Sequence, residues 1–157
     1  MKAQELQLEL QSTQEFFDRS TRCLTDADSG FRPVEGMYTV AQQVAHTAQT
    51  IDWFIQGGSR PEGFDLDFEA HHTAIANVHT LAEAREWLQR SFAAANDFFG
   101  SKTDEELYRL LPPGPVMAGA PVASLAGALI DHCAHHRGAL TVYSRMLGKV
   151  PTMPYGG

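Results

Sequence analysis

Cysteine is scarce in this chain of 157 residues: only Cys23 and Cys133, far apart in sequence. Two thiols so separated fit a reducing compartment better than a disulfide scaffold. Basic residues are also few, with 12 Lys and Arg against 19 Asp and Glu and a formal net charge of −7. No Lys/Arg cluster offsets that balance, so neither nucleic acid nor an anionic membrane surface is an expected partner. Apolar runs long enough to span a bilayer, about 18 residues, are missing. Met1-Lys2 leads into a polar helical pattern rather than a signal peptide, and the expected location is the cytoplasm. Several catalytic templates are missing too. There is no G-x-x-x-x-G-K-S/T and no G-x-G-x-x-G after a strand, which excludes the usual nucleotide loops. H-E-x-x-H, C-x-x-C and the G-x-S-x-G elbow are likewise absent.

What remains is an ordinary globular composition, 43% hydrophobic and 20% charged. The length predicts a single domain over residues 1–157 that needs no staple to hold its core. Apolar periodicity predicts four long helices and little strand. The first covers residues 3–24, with Leu6, Leu10, Phe17 and Leu24 on one stripe. The second opens at the capping box Thr39-Val-Ala-Gln42 and runs to about Gln56, with Gly57-Gly58 as its stop. A long connection follows, broken by Pro61 and Gly63, with one short helix near 68–77. Thr80-Leu-Ala-Glu83 opens the third long helix, which Gly100 closes, and Thr103 to Glu106 starts a short helical turn near 103–111. Pro121 at a first-turn position starts the last helix, ending near Gly148. The apolar Val150, Met153 and Tyr155 predict a tail that packs. The fold class is all-α, a four-helix bundle with a long connection between its second and third helices.

The chemistry concentrates in Asp131-His132-Cys133-Ala134-His135-His136-Arg137-Gly138. His132 and His136 are one helical turn apart, their Cβ atoms about 6 Å from each other, close enough to share a metal ion. On a wheel they lie on the apolar stripe with Leu125, Leu129 and Tyr143, while Cys133 and His135 flank it. Satisfied core imidazoles are the competing reading of such a pair. His46, on the second helix, falls opposite the aliphatic set Val40, Val44 and Ile51 and beside Gln42, Gln43 and Trp53. That is a solvated face unless it lines an open cleft. Asp65, Asp67, Glu69, His71 and His72 form a rival cluster in the long connection, more simply read as a solvated acidic loop. Cys133 as a nucleophile would need a lowered pKa. Glu35 is a candidate partner at the site, whereas Asp131 points about 120° away from the histidine pair.

A histidine on the second helix, the Asp-His-x-x-His-His-Arg-Gly run and a closing Leu-Gly-Lys-Val-Pro segment together resemble the DinB-like (DNA-damage-inducible, YfiT-type) metalloproteins. The resemblance implies a four-helix bundle in which His46, His132 and His136 hold a divalent metal; three imidazoles suit zinc, nickel, iron or copper, with zinc or nickel expected. His135, Arg137 and Gly138 match the motif without being ligands. Many relatives carry Gln after the Gly, where this chain has Ala139. Relatives include thiol-dependent S-transferases and a thiol-dependent isomerase. The resemblance therefore implies a metal-dependent enzyme on a small-molecule substrate, transferring a low-molecular-weight thiol, in a homodimer. A metal-dependent hydrolase and a non-enzymatic, stress-related metal-binding protein are the alternatives. A cleft lined by Trp53 and Tyr143 would favour an enzyme, and protonation of the ligand histidines predicts metal loss below about pH 6.

Overall fold

The structure is a computed structural model that describes residues 2–156. Among the described residues there are six α-helices and no strand, only an isolated bridge between Leu110 and Pro121. The helices are α1 (Lys2–Thr21), α2 (Val40–Ser59), α3 (Phe68–Ala76), α4 (Leu81–Gly100), α5 (Asp104–Tyr108) and α6 (Ser124–Met146). The four long helices pack in a bundle-like manner: α2 on α4 most extensively, α1 on both α4 and α6, and α2 also on α6. Leu10 and Phe17 of α1, Ile51 of α2, Phe92 and Phe99 of α4 and Leu129 of α6 are all fully buried between them.

Local chemistry sets most boundaries. Thr39 accepts from the Gln42 N–H while the Gln42 side chain accepts from the Thr39 N–H, so the capping box at the start of α2 is complete. A second complete box, Thr103 with Glu106, starts α5. Thr80 accepts from the Glu83 N–H at the start of α4. α6 ends in a Schellman motif: the Lys149 N–H reaches the Ser144 carbonyl, the Gly148 N–H reaches that of Arg145, and Gly148 has φ of +75°.

Four expectations need correction. Helix α1 stops at Thr21, and residues 26–28 form a 3₁₀ turn within the expected loop. Gly57 and Gly58 do not stop α2 but lie inside it. A Cβ on Gly57 would run into the Phe64 ring, and one on Gly58 into the Leu125 side chain. The glycines serve close approach rather than termination. Pro121 precedes α6: it pairs with Leu110, and the next two residues donate to the Arg109 and Leu107 carbonyls, tying α5 to the helix start. The tail does touch the bundle, because Arg19 donates to the Pro154 carbonyl and Tyr155 meets the Phe16 ring edge-on. Val150, Met153 and Tyr155 are nevertheless largely exposed, so that contact buries little.

Candidate metal centre

Helix α2 brings His46, and α6 brings His132 and His136, to one place. One potential ligand atom from each lies within 4.8 Å of the others. Ring centroids are 4.9 Å apart for His46 and His132, 4.6 Å for His46 and His136, and 4.4 Å for the helical pair. The polar face of α2 is therefore not solvated. Gln43 and Thr50 on that face are buried, and His46 is partly buried.

His136 Nδ1 lies 2.7 Å from Gln43 Oε1, Gln43 Nε2 donates to the Tyr143 hydroxyl at 3.2 Å, and that hydroxyl donates to the Tyr38 carbonyl at 2.9 Å. By contrast, His46 Nδ1 and His132 Nε2 are buried with no hydrogen-bond partner. A buried polar nitrogen left unpaired costs about 1–3 kcal/mol. Two such nitrogens side by side fit a bound cation, which would satisfy both. Burial, with the neighbouring imidazoles as second cause, pushes His132 down to about 4 and His136 down to about 3. His46 is lowered too, by burial first and then by His72 and His135. All three imidazoles are thus held neutral, the form that ligates metal.

A cleft of about 270 Å³ opens beside the cluster, with His46 and His132 in its lining. Trp53, Phe54, Phe68 and Ile75 form its apolar wall. Trp53 lines the cleft as expected, but Tyr143 does not; it is buried behind Gln43. His71 and His72 of the long connection also line the cleft. The rival cluster does not gather in this way: among the described residues, the His46/His132/His136 trio is the group of three such side chains whose ligand atoms lie close enough to share an ion. Among the residues of the rival cluster, His71 faces Asp65 at 3.8 Å, and His72 Nδ1 lies 3.3 Å from the hydroxyl of Tyr38, outside that cluster.

The flanking candidates fall away. Cys133 is buried and its thiol is pushed up to about 12 by burial, the reverse of what a nucleophile needs. Glu35 is exposed and paired with Arg32. His135 and Asp131 are exposed. Gln43 and Tyr38 were not singled out from the sequence. The signal for Gln43 was its i, i+3 spacing to His46, which places both on the same side of α2.

No curated protein matches this chain. A family model described as the DinB superfamily matches residues 9–140, a span holding His46, His132 and His136. With most of its length matched in this way, the chain belongs to the DinB superfamily.

Proposed function

We propose that His46, His132 and His136 hold a divalent metal ion, and that the protein is a metal-dependent enzyme acting on a small molecule in the adjoining cleft. One observation carries this reading: three imidazoles converge within 4.8 Å, and two of their buried nitrogens lack any partner. An imidazole donor set suits zinc or nickel, and three such ligands leave a coordination position open. When bound, the ion supplies positive charge that lowers the pKa of a water or thiol in that position. The four long helices are read as one four-helix bundle domain, with the site where α2 and α6 meet.

The chain's own residues supply the rest. Gln43 orients His136, and the Trp53 wall keeps bulk water from one side of the cleft. No Asp or Glu lines the cleft, so proton transfer falls to His71 and His72, the latter paired with Tyr38. The cleft favours an enzyme over a protein that merely sequesters metal, which needs no such space. The resemblance of its histidine motif to DinB-like proteins, which include thiol-dependent S-transferases, supports transfer of a low-molecular-weight thiol over hydrolysis. Elemental analysis of purified protein and of His132→Ala tests the first step. Stoichiometric zinc or nickel in the parent, lost in the variant with helicity retained, is expected; unchanged metal would put the site elsewhere. A fully loaded protein that consumes neither thiols with small electrophiles nor esters would favour the non-enzymatic reading.

A further inference from the structure

The cleft also constrains what can enter it. Its volume is about 270 Å³, whereas a dry cavity of about 150 Å³ already accepts benzene. One ring and a short substituent fill it. The wall suits a ring: Trp53 lies 5.4 Å from Phe54, 4.7 Å from Phe64 and 6.2 Å from Phe68, centroid to centroid. The polar atom of Trp53 is already engaged, since Nε1 donates to the Asp65 carbonyl at 2.6 Å. That bond ties the 59–67 connection to α2 and sets the indole before any ligand arrives. Phe68, on α3, is 52% exposed, a large apolar ring left half in water beside the cleft.

Charge restricts the ligand further. Among the described residues, no Lys, Arg, Asp or Glu lines the cleft. A phosphate or second carboxylate seated against the aromatic wall would lose its hydration with no Lys or Arg there to replace it. Neutral polar groups remain to take one soft or hydroxyl donor: His46 and His132 with the ion read to sit on them, and Gln49, Thr50, His71 and His72.

We propose that this cleft binds an otherwise uncharged, single-ring apolar molecule bearing one soft donor such as a thiol, with the ring against Trp53, Phe54 and Phe68 and the donor toward the three histidines. The donor's role rests on the metal reading given above; the seat for the ring does not. Charged parts of any larger thiol remain outside.

Calorimetric titration of the zinc-loaded and the metal-free protein with four probes tests this: benzyl mercaptan, benzyl alcohol, 2-mercaptoethanesulfonate and phenyl phosphate. Benzyl mercaptan is expected to bind the loaded protein about tenfold or more tighter than the ringless charged thiol, and phenyl phosphate more weakly than benzyl alcohol. Phe68→Ala, a change at an exposed position, should weaken both benzyl compounds about tenfold and leave zinc content and helicity unchanged. Benzyl alcohol should bind the metal-free protein as well as it binds the loaded one. Equal binding of ringed and ringless thiols, or full affinity in Phe68→Ala, overturns the proposal. Failure of the protein to take up zinc would instead overturn the metal reading, and ring binding that persists in that case would leave the ring seat standing.

Discussion

Gln43 Oε1 lies 2.7 Å from His136 Nδ1, and that contact decides which nitrogen of His136 is free to ligate. The Tyr143 hydroxyl spends its only proton on the Tyr38 carbonyl, so toward Gln43 it can only accept. The Gln43 amide must therefore turn its NH₂ to Tyr143 and its oxygen to His136. His136 is then protonated at Nδ1, and Nε2 keeps its lone pair. Gln43→Leu removes the acceptor at nearly constant size. Metal affinity, measured by competition with a chromophoric chelator, should fall about 10–100-fold. Gln43→Glu, a stronger acceptor in the same place, should restore most of it. An unchanged dissociation constant in Gln43→Leu would remove Gln43 from the site.

The histidine trio also fixes a pH dependence. Free histidine titrates near 6.5 in an unfolded chain, whereas in the folded protein burial holds His132 near 4 and His136 near 3. Above about pH 6.5 both states are neutral and the stabilisation is fully present. As pH falls below that value the unfolded chain binds protons that the folded one refuses, and stability drains away until the folded-state values are reached. At His132 and His136 protons compete with the metal in the folded protein only near those lower values, and at His46 below the ordinary histidine range. Metal should therefore survive dialysis at about pH 5.5 and be lost near pH 4, below the window near 6 that unperturbed histidines would give. The melting temperature of metal-free protein should decline between about pH 6.5 and 5, above the ordinary carboxylate range. A flat or rising profile there would contradict neutral burial of the trio.

Much of this centre was legible in the sequence because it rests on short-range rules. His132 and His136 share a helix, so their spacing alone fixes their separation. Capping boxes at Thr39 and Thr103 announce helix starts for the same reason. What was not legible depends on neighbours distant in sequence. A wheel gives the angle of His46 but not what covers it; α6 and the α3 segment turn a polar face into a cleft lining. Tyr143 shares the stripe of the histidines, yet its hydroxyl is drawn to Gln43, 100 residues earlier in the chain. Gly57-Gly58 reads locally as a helix stop, because a glycine that ends a helix and one that admits another side chain look alike.

Gly57 offers a direct measurement of that second role. Replacing a helical glycine by alanine gains about 0.5–1 kcal/mol in backbone entropy. Against this, the added methyl would overlap the Phe64 ring, which is packed on Trp53 at 4.7 Å and cannot withdraw freely. Overpacking costs about 1–3 kcal/mol, so the clash wins. Gly57→Ala should lower the melting temperature by about 2–6 °C for a chain of this size and, by displacing Phe64 toward Trp53, should shift the tryptophan emission. A stabilised variant would show that the glycine is there only as an unused helix stop.

Cys133 separates burial from reactivity. It lies on the same helix as two of the three proposed ligands, between His132 and His136 in sequence, and a metal-linked thiolate there would react quickly. Instead its side chain is 1% exposed and its thiol is raised to about 12 by burial, so at pH 8 almost none is ionised. Cys23 is partly exposed and remains reachable. Iodoacetamide at pH 8 should label one thiol per chain in the native protein, with peptide mapping placing it at Cys23, and two in denaturant. Rapid native labelling at Cys133 would mean that the contact between α1 and α6 opens far more readily than its packing allows, because an alkylating agent needs both access to the sulfur and its ionised form.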